Sequence, residues 1–113
     1  MNEEDRKLCK DAIALWGKET QLDMAIEECA ELINAIVKHR RNRASGNEII
    51  EEAVDVEFML QQIRVMFDYP IKVLQDETVW DDLSKQKRVR LKEMIAKTKE
   101  RMIKGESLNV KKF

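Results

Sequence analysis

The segment ETQLDMAIEECAELINAIVKHRR, Glu19 to Arg41, sets Leu22, Ala25, Ile26, Cys29, Leu32, Ile33, Ile36 and Val37 three and four residues apart. With 3.6 residues per turn, that spacing returns each side chain to one face of an α-helix and predicts an apolar stripe packed in a core. From about Asn47 to Phe67 the same period continues through Ile50, Ala53, Val54, Phe58, Ile63 and Phe67. Between the two lies His39-Arg40-Arg41-Asn42-Arg43-Ala44-Ser45-Gly46-Asn47, where the apolar period stops, as in a turn joining antiparallel helices. Ser45, with Glu48 three residues later, fits a capping box opening the second of these helices. Tyr69-Pro70 closes it, because the residue before a proline is pushed out of helical geometry.

Outward from this hairpin, Leu8, Ala12, Leu15 and Trp16 predict a short packing helix from about Glu3 to Trp16, stopped or bent at Gly17. Beyond Pro70 the chain is expected to restart as a helix reaching about Lys104, with a break allowed near Glu77. Its apolar positions are Val73, Leu74, Val79, Trp80, Leu83, Leu91, Met94, Ile95 and Met102, and Gly105 is the natural stop. Residues 105–113 are expected to form a flexible or subunit-clasping tail. Three glycines, one proline and 38% charged residues among 113 favour amphipathic helices over strands. The expected fold is all-α: an antiparallel helical bundle with a short N-terminal helix, forming one domain over residues 1–113. A chain this short buries a limited share of its surface, so completion by oligomerisation is expected.

The formal net charge of −1 conceals a polarity. Residues 1–79 carry 10 basic and 17 acidic side chains, and residues 80–113 carry 11 and 5, giving balances of −7 and +6. The basic end could serve nucleic acid, but its helical period favours a basic helix beside an acidic one, and nucleic acid is not the expected partner. Cys9 and Cys29 are too few for a disulfide framework or a zinc site. The stretch Met1–Lys10 is charged and no apolar run nears the ~20 residues that span a bilayer, so neither export nor membrane insertion is expected and a cytoplasmic setting is.

Chemistry concentrates in two acid pairs, Glu28 with Glu31 and Glu52 with Asp55. Each pair has a spacing of three, so its members share a helix face, and the antiparallel hairpin brings the pairs to similar height. Four carboxylates flanked by Ala30, Ala53 and Val54 repel one another, and a cation is their natural occupant. All-oxygen ligation without His or Cys selects Mg²⁺ first and Mn²⁺ next. A magnesium ion held this way seeks phosphate oxygens, so a polyphosphate ester is the expected substrate. Lys38, seven residues after Glu31, is placed to hold a phosphate, and Gln21, seven before Glu28, to touch a base or sugar. Glu27 is a candidate general base or ligand of a second metal, with Glu28 as its catalytic companion. Lys87 and Arg90 share a face of the last helix and could neutralise charge developing on phosphate. His39 is expected exposed in the turn, Cys29 in the core, and Trp16 and Trp80 in the core or an interface.

The stretch from Trp16-Gly17-Lys18 through Glu27-Glu28-Cys29-Ala30-Glu31-Leu32, followed 20 residues after Glu31 by Glu52-Ala53-Val54-Asp55-Val56, resembles the MazG-like branch of the all-α nucleoside triphosphate pyrophosphohydrolases. The signature E-x-x-E, a spacer and E-x-x-D carries the resemblance. It extends over about residues 16–95, because Lys87-Arg88-Val89-Arg90-Leu91 is similar to the basic final helix of short, phage-type members. The resemblance implies that Glu28, Glu31, Glu52 and Asp55 ligate Mg²⁺ and that Glu27 takes part in catalysis. The implied reaction converts a nucleoside triphosphate and water to a nucleoside monophosphate and pyrophosphate, with removal of non-standard nucleotides as its use. The implied assembly is a homodimer or a homotetramer made of two dimers. Related enzymes acting on dUTP, dCTP or phosphoribosyl-ATP are the nearest alternatives, and a non-catalytic helical module binding nucleic acid or a protein is the alternative of a different class.

Overall fold

The computed structural model describes residues 1–72 and 76–105, and the expected apolar positions Val73 and Leu74 and the tail 106–113 lie outside them. Four helices follow in order: α1 (Glu3–Trp16), α2 (Lys18–Arg40), α3 (Gly46–Phe67) and α4 (Val79–Ile103). Among the described residues there is no strand, only an isolated antiparallel bridge between Pro70 and Thr78. The chain divides into two units, Met1–Asp68 and Tyr69–Phe113.

In the first unit α1, α2 and α3 pack on one another. The Asn2 side chain opens α1 by accepting from the Asp5 backbone N–H at 2.7 Å. Glu3, Glu4 and Asp5 in its first turn complement the positive end of the helix dipole. Gly17, at φ +91°, ends α1 and admits α2 at once; that backbone conformation strains any residue with a Cβ. At the other end of α2, Arg41 donates to the carbonyls of Val37 and Lys38, and Asn42 takes a positive φ of 57°. The His39 ring Nδ1 lies 3.1 Å from the Ala44 carbonyl, which ties the turn, while the residue stays exposed.

Two local expectations change. Ser45 is the N-cap of α3, but its side chain makes no capping hydrogen bond. The Glu48 N–H it was expected to satisfy donates instead to the Ser45 carbonyl at 3.2 Å. The last helix begins at Val79 rather than near Pro70. A capping box stops it there: the Asp81 N–H donates to Thr78 Oγ1 at 3.3 Å, and the Thr78 N–H to Asp81 Oδ2 at 3.1 Å. Ahead of it the Val79 N–H donates to Tyr69 and the Ile71 N–H to Glu77, closing the preceding loop within the second unit. Lys85 pairs with Glu77 across the same cap.

The buried stripe also differs from the expected one. Ala25 and Ala35 of α2, Met59 of α3 and Cys9 of α1 form the buried apolar set, joined by the amides of Gln21 and Gln62. Ile26 and Ile33, expected inside, are 68% and 63% exposed, and Ile36, Val37, Ile50, Val54, Phe58 and Phe67 are exposed as well. Cys29, read as packing, is exposed. The reason is that α2 is apolar around much of its circumference, so three-and-four spacing picks out two adjacent stripes. The buried and half-buried positions of α2 include instead the stripe through Gln21, Ala25, Glu28, Leu32 and Ala35, on which Gln21 meets Gln62 of α3. Trp16 remains 59% exposed. Among the described residues, no helix is long and apolar enough to cross a membrane.

Candidate functional site

Helices α2 and α3 run antiparallel, so residues at equal height have numbers with a constant sum. Gln21 Nε2 donates to Gln62 Oε1 at 2.7 Å in the buried seam, which sets that sum at 83. Glu28 then stands level with Asp55, and Glu31 with Glu52. At the ends of the same pair, Lys18 Nζ sits 4.3 Å from the Phe67 ring centre, a cation–π contact that closes the seam where α2 begins and α3 ends.

At the level the sequence singled out, Glu28, Glu31 and Glu52 each offer a carboxylate oxygen within 4.8 Å of the others. Glu28 and Glu52 are half-buried, and Glu31 is exposed. The Oε2 atoms of Glu28 and Glu52 are shielded from solvent and have no hydrogen-bond partner. Burial pushes the Glu28 carboxyl up first, and the charges of Glu31, Asp55 and Glu52 add to it, as does the close approach of the Glu31 carboxyl. Glu52 is likewise pushed up, by burial, then by the close approach and charge of the Glu31 carboxyl, then by the charges of Asp55 and Glu51. An acid whose pKa is raised in this way lacks a compensating positive group, so a proton or a cation would relieve it.

Asp55, expected as the fourth ligand, is exposed and falls outside the tight triad, although its charge is felt by both Glu28 and Glu52. Glu27 is exposed on α2 one residue before the triad. Lys38 is exposed in the last turn of α2, and its carbonyl accepts from Arg41 and Arg43. Gln21, expected at a base or sugar, lies 4% exposed inside the α2–α3 seam with its amide committed to Gln62. Lys87 and Arg90 are both exposed on α4 in the second unit. There Lys87 lines a shallow hollow with Trp80, Leu83, Arg88 and Leu91.

Gln62 was not singled out from the sequence. The signal was present: it interrupts the apolar run of α3 seven residues after Asp55, as Gln21 stands seven before Glu28. The donor set itself fits a hard divalent ion, since it is all carboxylate and has two half-buried oxygens with no donor. No protein family, curated protein or solved structure matches this chain.

Proposed function

We propose that the protein is a Mg²⁺-dependent nucleoside triphosphate pyrophosphohydrolase, with Mn²⁺ as a substitute ion. One observation carries this: two facing helices converge three carboxylates, two of them with a shielded oxygen that no donor satisfies. Glu28, Glu31 and Glu52 would hold the ion, with Asp55 completing the set from its exposed position. A divalent ion there supplies neutralisation of phosphate charge and a more acidic water. Glu27, beside the triad and open to solvent, is the candidate proton acceptor for the attacking water. The bond broken is the phosphoanhydride between α and β phosphorus. The water oxygen ends on the nucleoside monophosphate, its proton on the base, and pyrophosphate leaves. Lys38, on the same side of α2 as Glu31, supplies positive charge where a polyphosphate chain would extend. The motif E-x-x-E followed by E-x-x-D supports the same activity through its resemblance to MazG-like enzymes. The exposed Ile26, Ile33, Ile50 and Phe58 support a homodimer or dimer of dimers.

The test is product analysis with a panel of ribo- and deoxynucleoside triphosphates in Mg²⁺. Pyrophosphate, not orthophosphate, should appear, and Glu31→Gln should abolish it without loss of helicity. Pyrophosphate release that survives in both Glu31→Gln and Asp55→Asn would dismiss the site.

A further inference from the structure

We infer that Gln21 and Gln62 are positioning residues: their buried hydrogen bond fixes the axial register of α2 against α3 and so assembles the acidic triad. This rests on the carboxylate site proposed above, but it assigns a task to two residues that touch neither metal nor substrate. Apart from the Lys18–Phe67 contact at the exposed ends of the two helices, little else in the seam selects one register. Its buried apolar side chains are Ala25, Ala35 and Met59, two small and one flexible, with Leu32 half-buried beside them, and among the described residues no large side chain is fully buried. Alanine surfaces slide past one another with little change in packing. A hydrogen bond between two amides that are 4% and 8% exposed is different, because any slip leaves a buried donor and a buried acceptor unpaired. A single buried polar pair sets register in coiled coils on the same principle.

The geometry couples that bond to the acids. Gln21 lies seven residues before Glu28, and Gln62 seven after Asp55, two helical turns in each case, so the amide pair and the carboxylate level lie on one seam. A slip of one turn moves α3 by ~5.4 Å along α2. That displacement exceeds the 4.8 Å within which the three carboxylate oxygens now gather. The triad therefore exists in one register, the one the amides select.

The test replaces both amides by unbranched apolar side chains, Gln21→Met with Gln62→Met, and reads register and metal binding separately. Spin labels at Asp23→Cys and Glu51→Cys, with Cys29→Ser and the buried Cys9 left unlabelled, report register. By the present alignment these sites are offset by nine residues, or ~13 Å along the axis, so a slip changes their separation almost in full. Titration calorimetry with Mn²⁺ alone reports the triad. The double variant should stay helical, show a label separation displaced or broadened by about one turn, and bind Mn²⁺ about 10- to 100-fold more weakly, the loss common for residues that orient ligands. Gln62→Glu keeps an acceptor for Gln21 and should retain the native separation. It also decides the matter if the double variant does not fold, since a displaced separation in this conservative variant would overturn the proposal. An unchanged separation in the double variant would overturn it too, as would Mn²⁺ affinity undiminished in the double variant where the wild type binds the ion. If the wild type binds no Mn²⁺, the metal site fails while the label separation still decides the role of the amides.

Discussion

Replacing Glu28 by glutamine removes one negative charge and preserves side-chain shape, so it isolates the electrostatic cost of the triad. The oxygens of Glu31 and Glu52 that face it lie within 4.8 Å. At such a separation a like-charge pair in a water-like dielectric costs about 1 kcal/mol. A Debye length of ~8–10 Å at ordinary salt leaves somewhat over half of that. Two neighbours together therefore cost Glu28 roughly 1 kcal/mol, and relief of that amount raises the unfolding midpoint by about 4 °C in a domain of this size. In EDTA, Glu28→Gln should accordingly melt above the wild type. With Mg²⁺ the order should reverse: an ion present at 100 times its Kd stabilises the wild type by about 2.7 kcal/mol, and the variant should forgo most of that gain. Thermal scans of both proteins across a MgCl₂ series at constant ionic strength read both effects. A variant that melts below the wild type in EDTA, with a wild type indifferent to Mg²⁺, would refute the argument, for the acids would then be neither frustrated nor relieved by an ion.

Three further outcomes follow from the same coordinates. Glu28 and Glu52 have folded-state pKa values above the ordinary 4.5, so the folded protein holds their protons more tightly than the unfolded chain does. Their contribution is present below about the ordinary value and is lost as pH rises through the raised one; denaturant titrations in EDTA should show stability falling across that window, less steeply in Glu28→Gln. Cys9 is 3% exposed, with its thiol pushed up by burial first and Asp5 second, whereas Cys29 is exposed. An aromatic disulfide reagent should titrate Cys29 at once and reach Cys9 only as fast as the packing around α1 opens. Thr78→Ala removes the side-chain half of the capping box on α4 and should cost about 1 kcal/mol of that helix's stability, visible as faster amide exchange at Val79–Asp82.

The helices were legible because three-and-four spacing and punctuation by Gly17, the 42–45 turn and Pro70 are local properties. α1, α2 and α3 fall within a residue or so of their expected bounds. The start of α4 was less legible, since the Thr78 and Asp81 pair that sets it was not read as a box. Spacing alone puts Glu28 with Glu31 and Glu52 with Asp55 on shared faces, and the structure gathers Glu28, Glu31 and Glu52 but leaves Asp55 outside. Which α2 stripe meets α3 was not legible. Ile26 and Ile33 outweigh Ala25 and Ala35 on any hydrophobicity scale, yet the alanines are the buried ones, and that is decided between helices rather than within one. Gln21 shows the same limit: its place in line with the acids was correct, but its burial against Gln62 depends on a residue 41 positions away.

The seam between α2 and α3 is a compromise between holding the helices together and presenting acids at one level. Burying an alanine removes far less apolar surface from water than burying a leucine or isoleucine, so Ala25 and Ala35 contribute modestly to cohesion. They share their stripe with Glu28, whose carboxylate gathers with those of Glu31 and Glu52. Larger residues at Ala25 or Ala35 would remove more apolar surface from water. The bulkier Ile26, Ile33, Val54 and Phe58 stand elsewhere on the same helices, exposed in the single chain. The stripe that carries Glu28 leaves Ile26 and Ile33 outside, and under the proposed assembly those exposed side chains are the surface a second copy would cover.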